Sequence, residues 1–400
     1  MKLLYVHQTY PGQFGHLAEA LAARPGFDCT FLSCHAPGTC NGVRKVQYKP
    51  RGGPTLKTHS AVRFVENAAW HAQGIYEAAR TLPRPDLIVN HGQLGPALFL
   101  RELWPDVPVL SYFEYFFRPH NSERDFRPDF PEPEQSFLDC RFRNASALLA
   151  LDDCDAGYAP THWQHSLVPR PYQDKVEVVH DGIDTRLWRP GLKPSRIGNF
   201  QLPDGRKFVT YAARGMEPLR GFDVFMKAAR EVCRRRKDVL FLVAGDDRVC
   251  YSGDESGRSF KDRVLAEGGY DLSRFVFLGH LPPQLLADLF RAADCHVYLT
   301  VPFVLSWSLL NALACGAVVL ASRAPPVEEI IRDGQTGLLR GFFDVQGFAD
   351  ALCAVLDRPE DHRHLGAAGA ELIRTRFSLD ALLGKHLDLY EKTINHGRKS

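Results

Sequence analysis

The sequence predicts an α/β protein with two Rossmann-like domains, and three observations carry that expectation. The chain has 400 residues, 45% apolar and 24% charged, the balance of a globular protein long enough to bury two cores. Short apolar runs alternate with longer helix-period stretches, as parallel sheets covered by helices require. The alternation stops in a proline-containing stretch and then begins again.

In the first half, apolar runs predict strands at Lys2–Val6, Asp28–Ser33, Asp86–Asn90, Val107–Ser111, Ala147–Leu151 and Val176–His180. Helical periodicity lies between them at Gln13–Arg24, Glu66–Arg80 and Gly95–Leu103. The second half predicts strands at Phe208–Ala212, Val239–Ala244, Phe275–Leu278, Cys295–Leu299 and Val318–Ser322, each followed by a plausible helix. Pro190, Pro194 and Pro203 mark the break. The domain boundaries expected are therefore 1–188, a linker at 189–205, 206–375, and a C-terminal helix and tail at 376–400, with the Leu379–Thr393 helix packing back across the junction.

Charge and cysteine usage exclude several classes. Lys plus Arg number 49 against 47 Asp plus Glu, so no global field recruits nucleic acid. The ten cysteines include no CxxC pair, and Cys29, Cys34, His35 and Cys40 match no common zinc spacing. Free thiols in apolar segments suit a reducing cytoplasm. The N-terminal apolar run is too short for a signal peptide, and no stretch reaches the length of a membrane span. A cytoplasmic location follows as an expectation, with peripheral membrane contact left open by the basic run Arg234–Lys237. That run suits better the C-terminal end of a helix, where the dipole favours cations.

Ligands of open parallel sheets bind beyond the carboxyl ends of the strands. After the first strand come His7, Tyr10, Gly12 and Gly15, which do not form GxGxxG, so a nicotinamide site is disfavoured. Backbone N–H groups around Gly12 can still hold an anion. Asn90-His91-Gly92 follows another strand, where His91 is either a sugar ligand or a structural histidine. The aromatic insertion Tyr112–Pro133, with Glu114 and Arg118, is either a loop packed by its own rings or part of a binding site.

The second half opens more specifically. Arg214 and Arg220 flank a strand-to-helix turn with Gly215 and Gly221. Two cations so placed suit a diphosphate whose charge must be held as it leaves. The alternative is a solvated turn whose arginines pair with Glu217 or Asp223. Gly245-Asp246-Asp247-Arg248 ends the next strand, and Arg248 either touches phosphate or pairs with the aspartates.

These segments, in this order, resemble the GT-B nucleotide-sugar glycosyltransferases, in particular retaining glycosyltransferase family 4. The resemblance covers most of the chain. His180-Asp181-Gly182-Ile183-Asp184-Thr185 looks like the family's segment before the hinge, and Arg214 and Arg220 match its Arg and Lys pair with Arg in place of Lys. Phe275–Leu281, with Leu278 and Leu281, resembles the strand and turn beside the nucleotide base. Ala292-Ala293-Asp294 and Val327–Leu339 match further family segments. In the first half, His7-Gln8, Pro11-Gly12-Gln13-Phe14, Tyr112-Phe113-Glu114 and Thr161-His162-Trp163-Gln164 resemble a bacterial branch.

The resemblance implies two Rossmann-like domains facing across a cleft, the first holding the acceptor and the second the nucleotide sugar. It implies retention of anomeric configuration, no metal, and no cofactor beyond a UDP- or GDP-linked sugar substrate. His91, Glu114, Arg214 and Arg220 become the catalytic candidates, and His7, Tyr10, Tyr112 and Arg118 the acceptor-binding ones. The acceptor is an unidentified glycan, lipid-linked or small molecule.

One departure stands out. Most members carry E-x7-E, the first Glu near the transferred sugar and the second on the donor ribose, where this chain has Phe303 and Asn311. An amide accepts more weakly than a carboxylate, by about 1–2 kcal/mol. Backbone N–H groups of Val304, Leu305 and Ser306 can replace part of the lost sugar contact. Altered donor choice, reduced activity or an engineered substitution at 311 would each explain the change. Two rival functions are a catalytically impaired homologue that binds nucleotide or glycan as a partner protein, and a sugar-nucleotide epimerase.

Overall fold

The computed structural model describes residues 1–248, 250 and 258–397. It divides into two compact units, one of Met1–Gly182 with the stretch from Leu379, the other of Ile183–Ser378.

The first unit is built on an eight-stranded sheet. Its strands are β1 (Lys2–Val6), β2 (Asp28–Ser33), β3 (Gly38–Cys40), β4 (Val43–Gln47), β5 (Leu87–His91), β6 (Val109–Tyr112), β7 (Ala156–Ala159) and β8 (Val176–Val178), in the order β3-β4-β2-β1-β5-β6-β7-β8. All neighbours are parallel except β3 with β4. Period two explains why β1 is central: Leu3 and Tyr5 face one core, Leu4 and Val6 the other, and all four are buried. The first core is closed by the helix Gly15–Ala22 and by Leu383, Leu389, Tyr390 and Ile394 of the helix Leu379–Gly397. The second is closed by Ile75 and Ala79 of the helix Arg63–Ala79 and by Ala150 and Leu151 of the helix Ala145–Asp153.

Two expected elements differ. Ala147–Leu151, read as a strand, lies inside the helix Ala145–Asp153, where Ala147, Ala150 and Leu151 are buried and Leu148 and Leu149 are exposed. A five-residue apolar run suits either element, and here the spacing of its buried positions is helical. Gly95–Leu103, read as a helix, is a series of turns that begins with Gly95 at φ +69°. Strands β3, β4 and β7 were not anticipated. The Ala-Gly-Tyr-Ala of β7 has little strand propensity and is extended through its pairing with β6 and β8.

The second unit contains a short hairpin, β9 (Arg196–Ile197) with β10 (Phe200–Gln201), and a six-stranded parallel sheet. The sheet comprises β11 (Lys207–Gly215), β12 (Val239–Asp246), β13 (Phe275–Gly279), β14 (Cys295–Tyr298), β15 (Val319–Ser322) and β16 (Leu338–Arg340), ordered β13-β12-β11-β14-β15-β16. That is the 3-2-1-4-5-6 order of a dinucleotide-binding fold, whose switch point falls between β11 and β14. The proline-containing stretch 189–205 is part of this unit, because Ile197 and Leu202 are buried in its core. The helix Phe222–Arg235 buries one face against the sheet, including Phe222, Phe225 and Val232. No helix among the described residues is long and apolar enough to cross a membrane.

Buried histidines couple both units to pH. His296 on β14 is fully buried, with Nδ1 2.8 Å from the Thr210 hydroxyl, and burial lowers its pKa to about 3. His386 lies under the first sheet with Nε2 3.1 Å from the His180 carbonyl, and burial lowers it to about 4. Such groups take up protons more readily in the unfolded chain, so their stabilising effect is complete above the ordinary histidine value and lost as pH falls. Urea denaturation should therefore show stability falling steadily from pH 7 to pH 4.5, and a flat profile across that window would contradict the buried neutral state.

Candidate active site

In the second unit, the carboxyl ends of β11 and β14 part at the switch point and open a small pocket lined by Tyr211, Arg214, Arg220, Tyr298, Ser306 and Ser308. β11 ends at Gly215, a single turn Pro218–Arg220 follows, and Gly221 at φ +61° lets the chain reverse into the helix Phe222–Arg235. A Cβ at 221 would come 2.8 Å from Leu299 Cβ, so glycine meets both the left-handed backbone and the close approach. Arg214 is exposed and Arg220 is 6% exposed.

Arg220 is tied to the far side of the pocket. Its Nη1 donates to Thr300 Oγ1 at 2.8 Å and to Tyr298 Oη at 3.4 Å, and both Nη groups lie 3.4 Å from the Val304 carbonyl. Its backbone carbonyl accepts from Tyr211 Oη at 2.8 Å. The buried Phe303 ring stands 5.8 Å from the guanidinium carbon, a cation–π contact. The Ser306 N–H donates to Tyr298 Oη at 3.1 Å, so this backbone donor is already engaged. Leu305 belongs to the hydrophobic core. Asn311 is buried, and its side-chain carbonyl has no hydrogen-bond partner among the described residues.

The remaining donor candidates have structural employment. A Cβ on Gly215 would sit 2.3 Å from the Arg248 carbonyl, and one on Gly245, at φ +137°, 2.2 Å from the Ala213 carbonyl. These glycines let neighbouring backbone segments touch. Arg248 pairs with Asp246 at 3.1 Å, and Leu278 and Leu281 lie half-buried against the core. Arg234, Arg235 and Arg236 pair with Glu231, Asp350 and Asp238 at 2.6, 2.5 and 2.7 Å, which gives the basic run a solvated structural role.

The first unit gathers a second cluster at the corresponding edge of its sheet. His91 ends β5, with its ring 5.4 Å from His7 and 5.2 Å from Tyr112. His91 Nε2 lies 3.7 Å from a Glu114 carboxylate oxygen, while Gln13 Nε2 donates to the other at 3.0 Å. Burial pushes the Glu114 carboxyl up, but hydrogen bonding and the charge of His91, with the Gln13 amide, outweigh it and hold the group below its ordinary value. His7 accepts the Thr9 N–H at Nδ1, 2.9 Å away, and burial with the neighbouring His91 lowers its pKa to about 4. Gly12 at φ +49° closes over this ring, since a Cβ there would lie 2.6 Å from His7 Nδ1.

Three acceptor candidates stand differently. Tyr112 is buried among His91, Phe14 and Tyr158, with its hydroxyl 3.4 Å from Asp181. Tyr10 packs on Phe31 and donates to Glu19 at 2.6 Å. Arg118 is exposed and donates to the Ser166 carbonyl at 3.2 Å. Sequence reasoning missed Tyr211, Tyr298, Thr300 and Gln13 as site residues. Tyr298 ends β14 and Thr300 follows it, while Tyr211 lies within β11 and joins them through its register with Val297.

The family described as Glycosyl transferase family 4 group matches residues 25–188, and Glycosyl transferases group 1 matches residues 206–358. A D-inositol 3-phosphate glycosyltransferase of Corynebacterium glutamicum is 30% identical over 325 residues, 77% of this chain and 72% of the relative. The chain belongs to glycosyltransferase family 4. A D-inositol 3-phosphate glycosyltransferase of Saccharomonospora viridis is 32% identical over 228 residues, 55% of this chain and only about half (51%) of that relative. Among solved structures, sucrose-phosphate synthase from Thermosynechococcus elongatus superposes with a TM-score of 0.77 at 18% identity over 98% of both chains. HepE of Anabaena, solved with UDP-glucose, gives 0.69 at 16% identity over 98% of this chain and 100% of its own. This family 4 member has the GT-B fold, with two Rossmann-like units.

The Thr300 hydroxyl accepts from a buried cation at 2.8 Å, so Thr300→Val should lower the stability of the second unit by about 1–3 kcal/mol, the range for removing one hydrogen-bond partner of a buried charged group. Urea unfolding of the two proteins reads this directly.

Proposed function

We propose that the protein is a retaining, metal-independent glycosyltransferase of the cytoplasm that moves a sugar from a UDP- or GDP-linked donor to a hydroxyl acceptor. The observation that carries this reading is the convergence of Arg214 and Arg220 on one pocket at the β11/β14 switch point. Solved HepE holds UDP-glucose in a chain of the same fold, and the relatives are named for transfer to a phosphorylated polyol.

In this reading the anomeric C–O bond breaks and the nucleoside diphosphate leaves with the electron pair. Negative charge grows on its terminal phosphate, where two fixed guanidiniums lower the barrier most because they need no reorganisation. They fill the cationic role a divalent metal would otherwise supply. The acceptor oxygen attacks the same face, and its proton passes to the departing phosphate. Acceptor recognition falls to the first unit, where Glu114, kept ionised by His91 and Gln13, favours positive charge developing on the sugar.

A second reading, nucleotide binding without turnover, is favoured by Phe303 and Asn311. Calorimetry with UDP and GDP and donor turnover by wild type and Asn311→Glu separate the two. Binding with no turnover in either protein would decide for the second reading.

Arg214→Ala and Arg220→Ala should each lower turnover at least about 100-fold, with EDTA leaving the wild-type rate unchanged. Arg220→Lys covers the case in which the alanine variant fails to fold. Parent rates in the arginine variants would remove the diphosphate assignment, and loss of activity in EDTA would remove metal independence.

A further inference from the structure

Glu114 is held by more than the two side chains that meet its carboxylate. β6 ends at Tyr112, and the chain runs on beyond the sheet through Phe113, Glu114 and Tyr115. Backbone polar groups that leave a ladder must find other partners. The Phe113 N–H still reaches the Tyr158 carbonyl of β7 at 2.8 Å. After it, buried side-chain amides take the place of a strand. The Glu114 carbonyl accepts from Gln164 Nε2, and the Tyr115 N–H donates to Gln93 Oε1 at 3.1 Å. These two groups belong to one peptide unit, so that unit is gripped on both edges. Gln93 follows β5 and Gln164 follows β7, the strands on either side of β6.

Each part of this grip is itself fixed. Gln164 is 1% exposed, its Oε1 accepts from the Thr161 hydroxyl at 3.0 Å, and the Thr161 oxygen accepts the Gln164 N–H at 3.0 Å. The amide cannot turn over without setting its carbonyl oxygen against that of Glu114. Phe113 is wedged between Gly92 and Gly157, where a Cβ on either would come 2.7 Å from its ring. Main chain and neighbours thus hold still a residue whose side chain remains 29% exposed, beside His91 and Gln13 and within the field of His7. A carboxylate that serves only solubility needs no such anchoring. One that must stand at a set point does, because an error of about 1 Å at a reacting centre can cost about 100-fold in rate.

We infer that Gln164 is a positioning residue of the transfer reaction, which fixes the Glu114 carboxylate through the peptide between Glu114 and Tyr115, with the Thr161 hydroxyl orienting the amide that does so. Gln164 acts only through Glu114 and touches no substrate. The part Glu114 plays in transfer rests on the transferase reading, whereas the placing of Glu114 by Gln164 stands on the geometry alone. A packing role without positioning would cost stability and leave the carboxylate among its partners.

The test uses the full chain carrying carbon-13 at its glutamate carboxyls, the Glu114 signal being the one lost in Glu114→Gln. In the wild type this signal should titrate below the ordinary glutamate value, because His91 and Gln13 favour the charged form against burial. In Gln164→Met it should titrate higher, the carboxylate having drifted from those partners. Thr161→Val, which keeps Gln164 but frees its amide, should move it the same way and serves if Gln164→Met does not fold. The second arm is nucleotide release from UDP-glucose and GDP-mannose. Gln164→Met should lower kcat about 10-fold with the donor KM within about twofold of the parent value, and should cost nothing further in a Glu114→Gln background. An unmoved Glu114 titration in the folded variants overturns the inference, as does a rate loss that multiplies in full onto that of Glu114→Gln. Absence of nucleotide release by the wild type sinks the transferase reading, and the titration still decides whether Gln164 sets Glu114.

Discussion

A guanidinium held out of water where β11 and β14 part is the constraint around which the second unit is arranged. Arg220 reaches that point only because Gly221 reverses the chain immediately after it and because Thr300 and Tyr298 end the neighbouring strand with oxygen acceptors. Hydroxyl and carbonyl dipoles orient a cation without cancelling its field. In a low-dielectric pocket that field acts over the distance of a phosphate group. Arg214 on the same rim is exposed, whereas Arg220 is buried and held in place.

The first unit solves a different problem at its own strand ends. His7, His91 and Glu114 come from three separate strand exits, and Gly12 is needed simply to let the chain pass over the His7 ring. The outcome is one carboxylate kept charged near a His7 imidazole that burial keeps neutral, its pKa lowered to about 4. Fixed cations in one unit and a fixed anion in the other divide the labour that the proposed transfer requires.

Much of this was legible in the chain because parallel strands buried on both faces leave near-continuous apolar runs. All five strands expected in the second half are present, and Arg214 and Arg220 stood out because cations directly after a buried strand have few structural uses. What was lost depended on pairing. Tyr298 and Thr300 read as ordinary strand-end residues until register sets Tyr211 beside Val297. Gln13 meets Glu114 across 101 residues, which no local pattern reports. The strand misread at Ala147–Leu151 and the unread Ala156–Ala159 share a cause, since tertiary packing, not propensity, decides such short segments.

The helix Leu379–Gly397 closes the first core although nearly two hundred residues of another unit separate it from the strands it covers. Synthesis on a ribosome therefore cannot deliver the two units in the order in which they begin. Tyr5, Tyr158 and Leu110 must wait with one face partly uncovered until the helix Leu379–Gly397 emerges, while the uninterrupted unit Ile183–Ser378 can finish first. The unit Ile183–Ser378 is thus completed before the one that starts ahead of it, and the nascent chain carries an apolar surface that waits for the helix Leu379–Gly397.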